Sequence, residues 1–166
     1  GVKVAGSAAR RSHNDPGSSA VGLETMPVRY ANLPRPALYE SWNRLHSPLA
    51  EAILPASDLV HATTWAIPPP RKPLGVTVPD LAFLRNPEHF TKRGNSYFRK
   101  SLQRTIKEAQ AVIVPSQATA DDCYEAGINS ERVHVIPHGV SVQEVSASQI
   151  DLFRTAYGLS RPYVLW

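Results

Sequence analysis

The carboxylate of Asp80 is the first candidate for chemistry, because it follows directly on an apolar, β-branched run. The run reads LGVTVPDLAFL over residues 74–84, and its first half is typical of a buried strand. In an open parallel sheet, ligands bind outside the carboxyl ends of the strands, where loops vary while the sheet stays rigid. We therefore predict that Asp80 is a catalytic residue that orients a substrate hydroxyl or the active-site loop. The structural alternative is a turn in which its side chain only accepts backbone hydrogen bonds.

Two later apolar runs end in the same way and bring further polar groups to the predicted edge. They read AVIVPS over residues 111–116 and RVHVIPHGV over residues 132–140. Ser116 is a candidate substrate-binding hydroxyl at a helix start, although capping of that helix explains it better. His138 and Gly139 form a predicted hinge, because glycine reaches backbone angles that other residues resist. The alternative for His138 is a direct contact with a ligand across a cleft.

A cluster of basic residues follows the Asp80 segment and predicts an anionic partner. It holds seven of the 18 Lys and Arg residues, with Glu88 as the only acid among them: Arg85, Lys92, Arg93, Arg99, Lys100, Arg104 and Lys107. Such a concentration of positive charge attracts phosphates. The cluster is therefore expected to bind a lipid-linked phosphate or an anionic membrane surface. Arg85 and Arg93 flank the strand end and are predicted to bind substrate, whereas residues 99–107 could simply solvate a helix. No nucleic-acid partner is expected, since no known nucleic-acid-binding motif is present.

Several classes of site lack their sequence signatures. The six histidines contain no His-Glu-x-x-His pattern, so no metal site is predicted. No nucleophile elbow, phosphate-binding P-loop or dinucleotide fingerprint occurs, and no cofactor is expected. The single cysteine, Cys123, is predicted to face the core of its helix.

Alternating strands and helices must position these groups. Beside the three runs above, strands are predicted at Val2 to Gly6 and Asp58 to Ala62, with a loop over residues 7–21. Helices are predicted at Leu38 to Ile53, Asn95 to Ala109, after Ser116 as far as Gly127, and Ser148 to Tyr157. Right-handed crossovers then give the α/β class, with a parallel sheet flanked by helices.

Length and composition fit a soluble, intracellular domain. The chain has 166 residues, 42% hydrophobic and 19% charged, and no run approaches the roughly 20 apolar residues of a membrane span. Arg10 and Arg11 interrupt any apolar signal segment, and one cysteine excludes an internal disulfide. We expect a cytoplasmic location, with peripheral contact at the inner face of a membrane. The start at Gly1 and the strand-like PYVLW at the other end suggest a fragment of a longer protein.

Three segments together resemble a known family. They are HATTWAIPPPRKPLGVTVPDLAFLRNPEHFTKRG, VIVPSQATADDCYEAGI and RVHVIPHGV, and their order is similar to the amino-terminal domain of the GT-B glycosyltransferases of family 4. The resemblance implies a partial, Rossmann-like acceptor-side domain over residues 1–140. Residues 141–166 would then be a linker and the first strand of a truncated donor-binding domain.

The resemblance also implies a reaction. Family members transfer a sugar, such as mannose or glucose, from a nucleotide-diphosphate donor to a glycan or lipid-linked acceptor, with retention and without a metal. The donor would bind mainly to the missing domain, so this fragment alone is expected to be inactive. The chain agrees in having no Asp-x-Asp metal-diphosphate motif.

The chain departs from the family at one position. Pro79 precedes Asp80 where the family has a histidine that touches the transferred sugar, and proline offers neither a side-chain hydrogen bond nor a proton. A non-catalytic α/β module that binds a phosphorylated glycan or lipid is therefore the alternative. A GT-B sugar-nucleotide epimerase is a further one, although no carboxylates for it can be assigned.

Overall fold

Two parallel sheets and six α-helices form the part of the chain that the structure describes, a computed structural model covering residues 1–10, 26–140, 142 and 144–162. The smaller sheet pairs β1 (Gly6–Arg10) with β2 (Val28–Pro34). The larger sheet has the order β3-β4-β5-β6, with every neighbouring pair parallel: β3 (Val60–Ala62), β4 (Leu74–Thr77), β5 (Ala111–Val114) and β6 (Val133–Val135). The helices are α1 (Arg35–Arg44), α2 (Ala50–Ile53), α3 (Ala82–Arg85), α4 (Lys92–Glu108), α5 (Gln117–Glu125) and α6 (Ala147–Ala156).

The main core lies on one face of the larger sheet. Leu74, Val76 and Val78 alternate with half-buried Gly75 and Thr77, as expected when only one face of a strand is fully covered. Side chains from α3, α4 and α5 complete this core, among them Phe83, Leu102, Ala120 and Cys123, together with Ile128 from the segment after α5. The predicted α/β class, a Rossmann-like parallel sheet flanked by helices, is confirmed. Among the described residues, the opposite face of the larger sheet is the more exposed one.

The first strand is displaced from its predicted position. The structure has it at Gly6–Arg10, where the sequence predicts the start of a loop. These small residues form a strand because they pair in parallel register with β2, from Gly6 opposite Val28 to Arg10 opposite Pro34. Residues 11–21 of the predicted loop, and the predicted strand at Tyr163 to Trp166, lie outside the described residues.

The single helix predicted over Leu38 to Ile53 is wrong, because the chain forms α1 and α2 with a break between them. Pro48 has no N–H to donate to the preceding turn, and His46 adopts a positive φ of 50°. The indole of Trp42 donates to the carbonyl oxygen of Pro48 at 3.0 Å, which fixes the connecting loop against α1.

Helix α4 carries a buried polar stripe in addition to its predicted apolar face. Ser101, Arg104 and Thr105 are all buried, so the interpretation of Arg104 as a solvated charge is wrong. Arg104 donates to the carbonyl oxygen of Ile67 at 2.7 Å and to that of Trp42 at 3.3 Å, and it pairs with Glu108 at 2.9 Å. This residue therefore joins α4 to the end of α1 and to the proline-rich loop before β4.

Helix α5 begins and ends as predicted. The Ser116 hydroxyl accepts from the backbone N–H of Thr119 at 3.2 Å, so it is the N-cap, and Gly127 has a φ of 93° behind the last turn. Among the described residues, no helix is both long and apolar enough to cross a membrane.

Cys123 on α5 is expected to react slowly with thiol reagents while the protein is folded. Burial, together with the charge of Asp122, raises the pKa of its thiol to about 11 from an ordinary value of 9.0. Because the folded state favours the thiol, its stability contribution is complete below pH 9 and is lost as the pH rises through 11. Reaction with a chromogenic disulfide reagent at pH 8 should be slow in buffer and fast in urea. A fast reaction in buffer would contradict the buried position.

Candidate functional site

Four loops meet at the carboxyl edge of the larger sheet, because all of its strands are parallel. They follow β3 at Thr64 and Trp65, β4 at Pro79 and Asp80, β5 at Pro115 and Ser116, and β6 at residues 136–138. The predicted site residues Asp80, Ser116 and His138 thus share this edge.

Asp80 lies exposed in a turn directly before α3. Its Oδ1 accepts a hydrogen bond from the backbone N–H of Ala82 at 2.9 Å. This is the turn that the sequence suggested as the structural alternative, and it positions the carboxylate at the surface. A carboxylate has two oxygens and about four acceptor sites, so a single bond of this kind leaves acceptor capacity for a ligand.

The two predicted substrate-binding arginines are each paired with a carboxylate. Arg85 of α3 forms an ion pair with Asp122 of α5. Arg93 of α4 donates to Glu40 of α1 at 2.8 Å. The hydrogen bond from Arg93, followed by the charges of nearby basic residues, holds the pKa of Glu40 below its ordinary value despite some desolvation. Both arginines therefore join helices, and neither is an unpaired phosphate-binding cation in this conformation.

The remaining predicted site residues, Ser116, His138 and Gly139, lie in different environments. The Ser116 hydroxyl is engaged as the cap of α5 and also lies 3.1 Å from the Thr119 hydroxyl. His138 and Gly139 are exposed after β6, and a Cβ at Gly139 would meet nothing within 4 Å. The φ of Gly139 is not in the left-handed region here. The hinge at these two residues stays a prediction.

A cavity of about 510 Å³ opens beside this edge, and we name it the aromatic pocket. It lies between α1, the loop after β3 and the first turns of α4, and Arg93 is the only predicted site residue in it. Its walls are mainly rings and small groups: Pro36, Tyr39, Glu40, Thr64, Trp65, Ala66, Thr91, Arg93, Gly94, Tyr97 and Phe98. The sequence analysis did not predict this pocket, although Trp65, three residues after the end of the strand VHA, was a signal for it.

Tyr97 is one of the residues that line the aromatic pocket, and its hydroxyl group is buried. Its oxygen is buried and makes no hydrogen bond of normal geometry to any described residue, although Ser101 is near enough to influence it. Burial, with smaller contributions from Tyr39 and Glu40, raises the pKa of Tyr97 to about 12. At neutral pH the phenol is therefore protonated.

A second cavity, of about 680 Å³, lies on the other side of α4, and we name it the basic groove. Lys92, Arg99 and Lys100 are exposed along it, next to Phe90 and to His46 at the end of α1. In the described part of the chain, no group of three or more His, Cys, Asp or Glu side chains could hold a metal ion.

Solved structures resemble this fold. The Anabaena protein Alr3699/HepE, in complex with UDP and glucose, matches with a TM-score of 0.57 and 26% sequence identity over 80% of this chain. The same protein in complex with UDP-glucose matches with a TM-score of 0.54 and 24% identity. This chain spans 37% of the length of HepE in the first of these. A search of curated protein sequences found no match.

A sequence-family model gives the assignment. The model of Glycosyltransferase Family 4 matches residues 3–144, which is most of the chain and includes every predicted site residue. The resemblance seen in the sequence is thereby confirmed. This chain, with its parallel sheet and loop-built edge, belongs to glycosyltransferase family 4.

Proposed function

We propose that this chain is the acceptor-side part of a glycosyltransferase that moves a sugar from a nucleotide-diphosphate donor to a glycan or lipid-linked acceptor. The observation that carries the proposal is a ligand-sized pocket beside a sheet edge bearing an exposed carboxylate, in a chain of this family. The HepE structures hold UDP, glucose and UDP-glucose, which supports a nucleotide sugar as donor.

In this proposal the chain positions the acceptor, and the donor diphosphate binds chiefly to a second domain. Residues 1–140 form the acceptor-side domain, and residues 141–166 lead into the donor-binding one. Asp80 would accept a hydrogen bond from an acceptor or donor hydroxyl, and orientation in the closed cleft would supply much of the rate. Retention, independence of a metal, and mannose or glucose as the transferred sugar follow from the family resemblance. On the same reasoning, this part alone is inactive.

The basic groove supports an anionic acceptor. Lys92, Arg99 and Lys100 lie along it without a carboxylate partner within ion-pair distance in the described residues, so a phosphate could approach them. A lipid-linked phosphate would bring the protein to the inner face of a membrane, where anionic headgroups attract the same side chains. Arg85 and Arg93 contribute less charge, because Asp122 and Glu40 offset it.

Pro79 favours one alternative, a non-catalytic module that binds a phosphorylated glycan or lipid. The residue is exposed at the edge and supplies no donor or proton where the family has a histidine. The test is to incubate the intact protein with UDP-, GDP- and ADP-linked hexoses and with soluble or lipid-linked acceptors. Release of nucleotide with formation of a glycosylated product supports the enzyme. Acceptor binding without any turnover supports the module and overturns the proposed transfer.

Two substitutions of Asp80 separate a role in transfer from a role in the turn. Asn keeps an oxygen that can accept from the Ala82 N–H, whereas Ala removes it. If the carboxylate contacts a sugar hydroxyl, both variants lose turnover, by about 10- to 100-fold for one hydrogen bond to a charged group. Steady-state kinetics of the intact protein measure this.

The matched control for this prediction is Asp58→Asn, since Asp58 is an exposed acid before β3, at the opposite edge of the sheet. It should leave turnover unchanged. Wild-type turnover in Asp80→Asn, with a loss only in Asp80→Ala, would reduce Asp80 to a turn residue.

A further inference from the structure

We propose that Asn95 is a positioning residue for the Asp80 loop, which comprises residues 79–86; this rests on the proposed function. Asn95 lies in the first turn of α4, and its side-chain amide donates to the backbone carbonyl oxygen of Phe83 at 2.8 Å. The bond joins α4 to α3 across 12 positions of the chain. Asn95 therefore acts on Asp80 through the backbone of α3.

The carbonyl group of Phe83 needs a partner from outside α3. In an α-helix it would accept from the N–H four residues later, but that residue is Pro87, which has no N–H. The preceding carbonyl, that of Ala82, is satisfied inside the loop by the N–H of Asn86 at 2.8 Å. Because Phe83 is 1% exposed, an unsatisfied carbonyl there would cost free energy. The sequence of α3 thus creates an acceptor that the side chain of Asn95 satisfies.

Two consecutive residues of α3 connect this hydrogen bond to the candidate carboxylate. The N–H of Ala82 donates to Oδ1 of Asp80 at 2.9 Å, and the carbonyl of the next residue, Phe83, accepts from Asn95. Both groups belong to one helix of only four residues. A tilt of α3 that breaks the bond to Asn95 therefore also changes the direction of the Asp80 carboxylate.

Arg99 fixes the orientation of the Asn95 amide. Its Nε donates to Oδ1 of Asn95 at 2.6 Å from one turn further along α4, so the NH₂ group of the amide faces the Phe83 carbonyl. Asparagine is a weaker helix former than alanine or leucine, so its place in α4 is not explained by helix propensity. Both Asn95 and Arg99 line the basic groove, and this pair joins that groove to the Asp80 loop.

Asn95→Asp tests the anchoring, because it keeps the side-chain shape and the acceptor for Arg99 but replaces the donor with an oxygen. A carboxylate in the first turn of a helix is favourable and would pair with Arg99, so the urea midpoint of unfolding should change little. Amide hydrogen exchange followed by NMR should still show protection of Ala82 and Asn86 reduced about three- to tenfold, as expected for one lost hydrogen bond. The amides of β5 should keep their protection.

A double-mutant cycle separates positioning of the carboxylate from a purely structural role. In the intact protein, Asn95→Ala should lower kcat about three- to tenfold, again the effect of one hydrogen bond, with little change in KM for the donor. In the Asp80→Ala background the same substitution should have no further effect, because the carboxylate that Asn95 positions is gone. Asn32→Ala, at an exposed asparagine of β2, is the matched control and should leave hydrogen exchange and turnover unchanged.

Three results would overturn the proposal: unchanged protection of the Asp80 loop in both Asn95 variants, wild-type turnover in Asn95→Ala, or equal losses of turnover from Asn95→Ala with and without the Asp80 carboxylate. Failure of the proposed function looks different. A loosened loop in a protein that transfers no sugar from any donor rejects the transferase and keeps Asn95 as the anchor of the loop. Normal transfer with an unchanged loop in both variants does the reverse.

Discussion

Replacing Phe83 with alanine is expected to lower the free energy of unfolding by about 3–5 kcal/mol, the usual cost of deleting a fully buried aromatic side chain. Phe83 is 1% exposed and contacts the rings of Trp65 and Phe98, so its loss leaves a cavity that rigid neighbours cannot fill. Urea unfolding followed by tryptophan fluorescence measures the change. The same variant should weaken the binding of any ligand in the aromatic pocket, because the pocket rings of Trp65 and Phe98 lose their contact with Phe83.

Phe153→Ala provides the comparison for this result. Phe153 lies on α6, is 50% exposed, and contacts Tyr157 with ring centroids 4.6 Å apart. Its loss should cost at most about 1.5 kcal/mol, the range measured for aromatic pairs. Equal destabilisation by the two substitutions would contradict the core position of Phe83.

Arg104→Met is expected to destabilise the protein by about 3 kcal/mol, although it keeps a long apolar stem. The guanidinium donates to the carbonyl oxygens of Ile67 and Trp42 and pairs with Glu108. Trp42 lies in the last turn of α1, where carbonyl groups lack helical partners, and hydrogen bonds from charged groups contribute about 1.5–3 kcal/mol each. Equilibrium unfolding in urea tests the value.

The exposed Arg99 on the same helix is the control for Arg104. Arg99→Met should change the free energy of unfolding by no more than about 0.5 kcal/mol, as surface substitutions usually do. If both arginine variants behaved alike, the bonds of Arg104 to the backbone would contribute nothing measurable.

The features that the sequence predicts well are those set by neighbouring residues. Ser116 and Gly127 bound α5 because a hydroxyl cap and a positive φ are local requirements. The runs that become β4 and β5 are recognisable because buried parallel strands are continuously apolar. The turn at Asp80 likewise depends on a bond over two residues.

The features that the sequence does not predict depend on contacts between distant segments of the chain. Ser101, Arg104 and Thr105 form a buried stripe at helical spacing, but a hydrophobic pattern cannot detect a stripe made of polar residues. Arg104 is buried only because carbonyls 37 and 62 positions away accept its hydrogen bonds. The aromatic pocket was missed for the same reason, since Tyr39, Trp65 and Tyr97 come from three separate elements.

Helix α4 lies between the two cavities. The rotation of the helix about its own axis therefore determines which side chains line each cavity and which kind of ligand each cavity suits. Lys92 lines the basic groove while Arg93, the next residue, lines the aromatic pocket. Each residue turns the helix by about 100°. A single residue inserted or deleted in the first turn would rotate basic side chains of α4 towards the aromatic pocket. It would also rotate aromatic side chains of α4 towards the basic groove. Relatives with such an indel should differ in acceptor preference even if every side chain is retained.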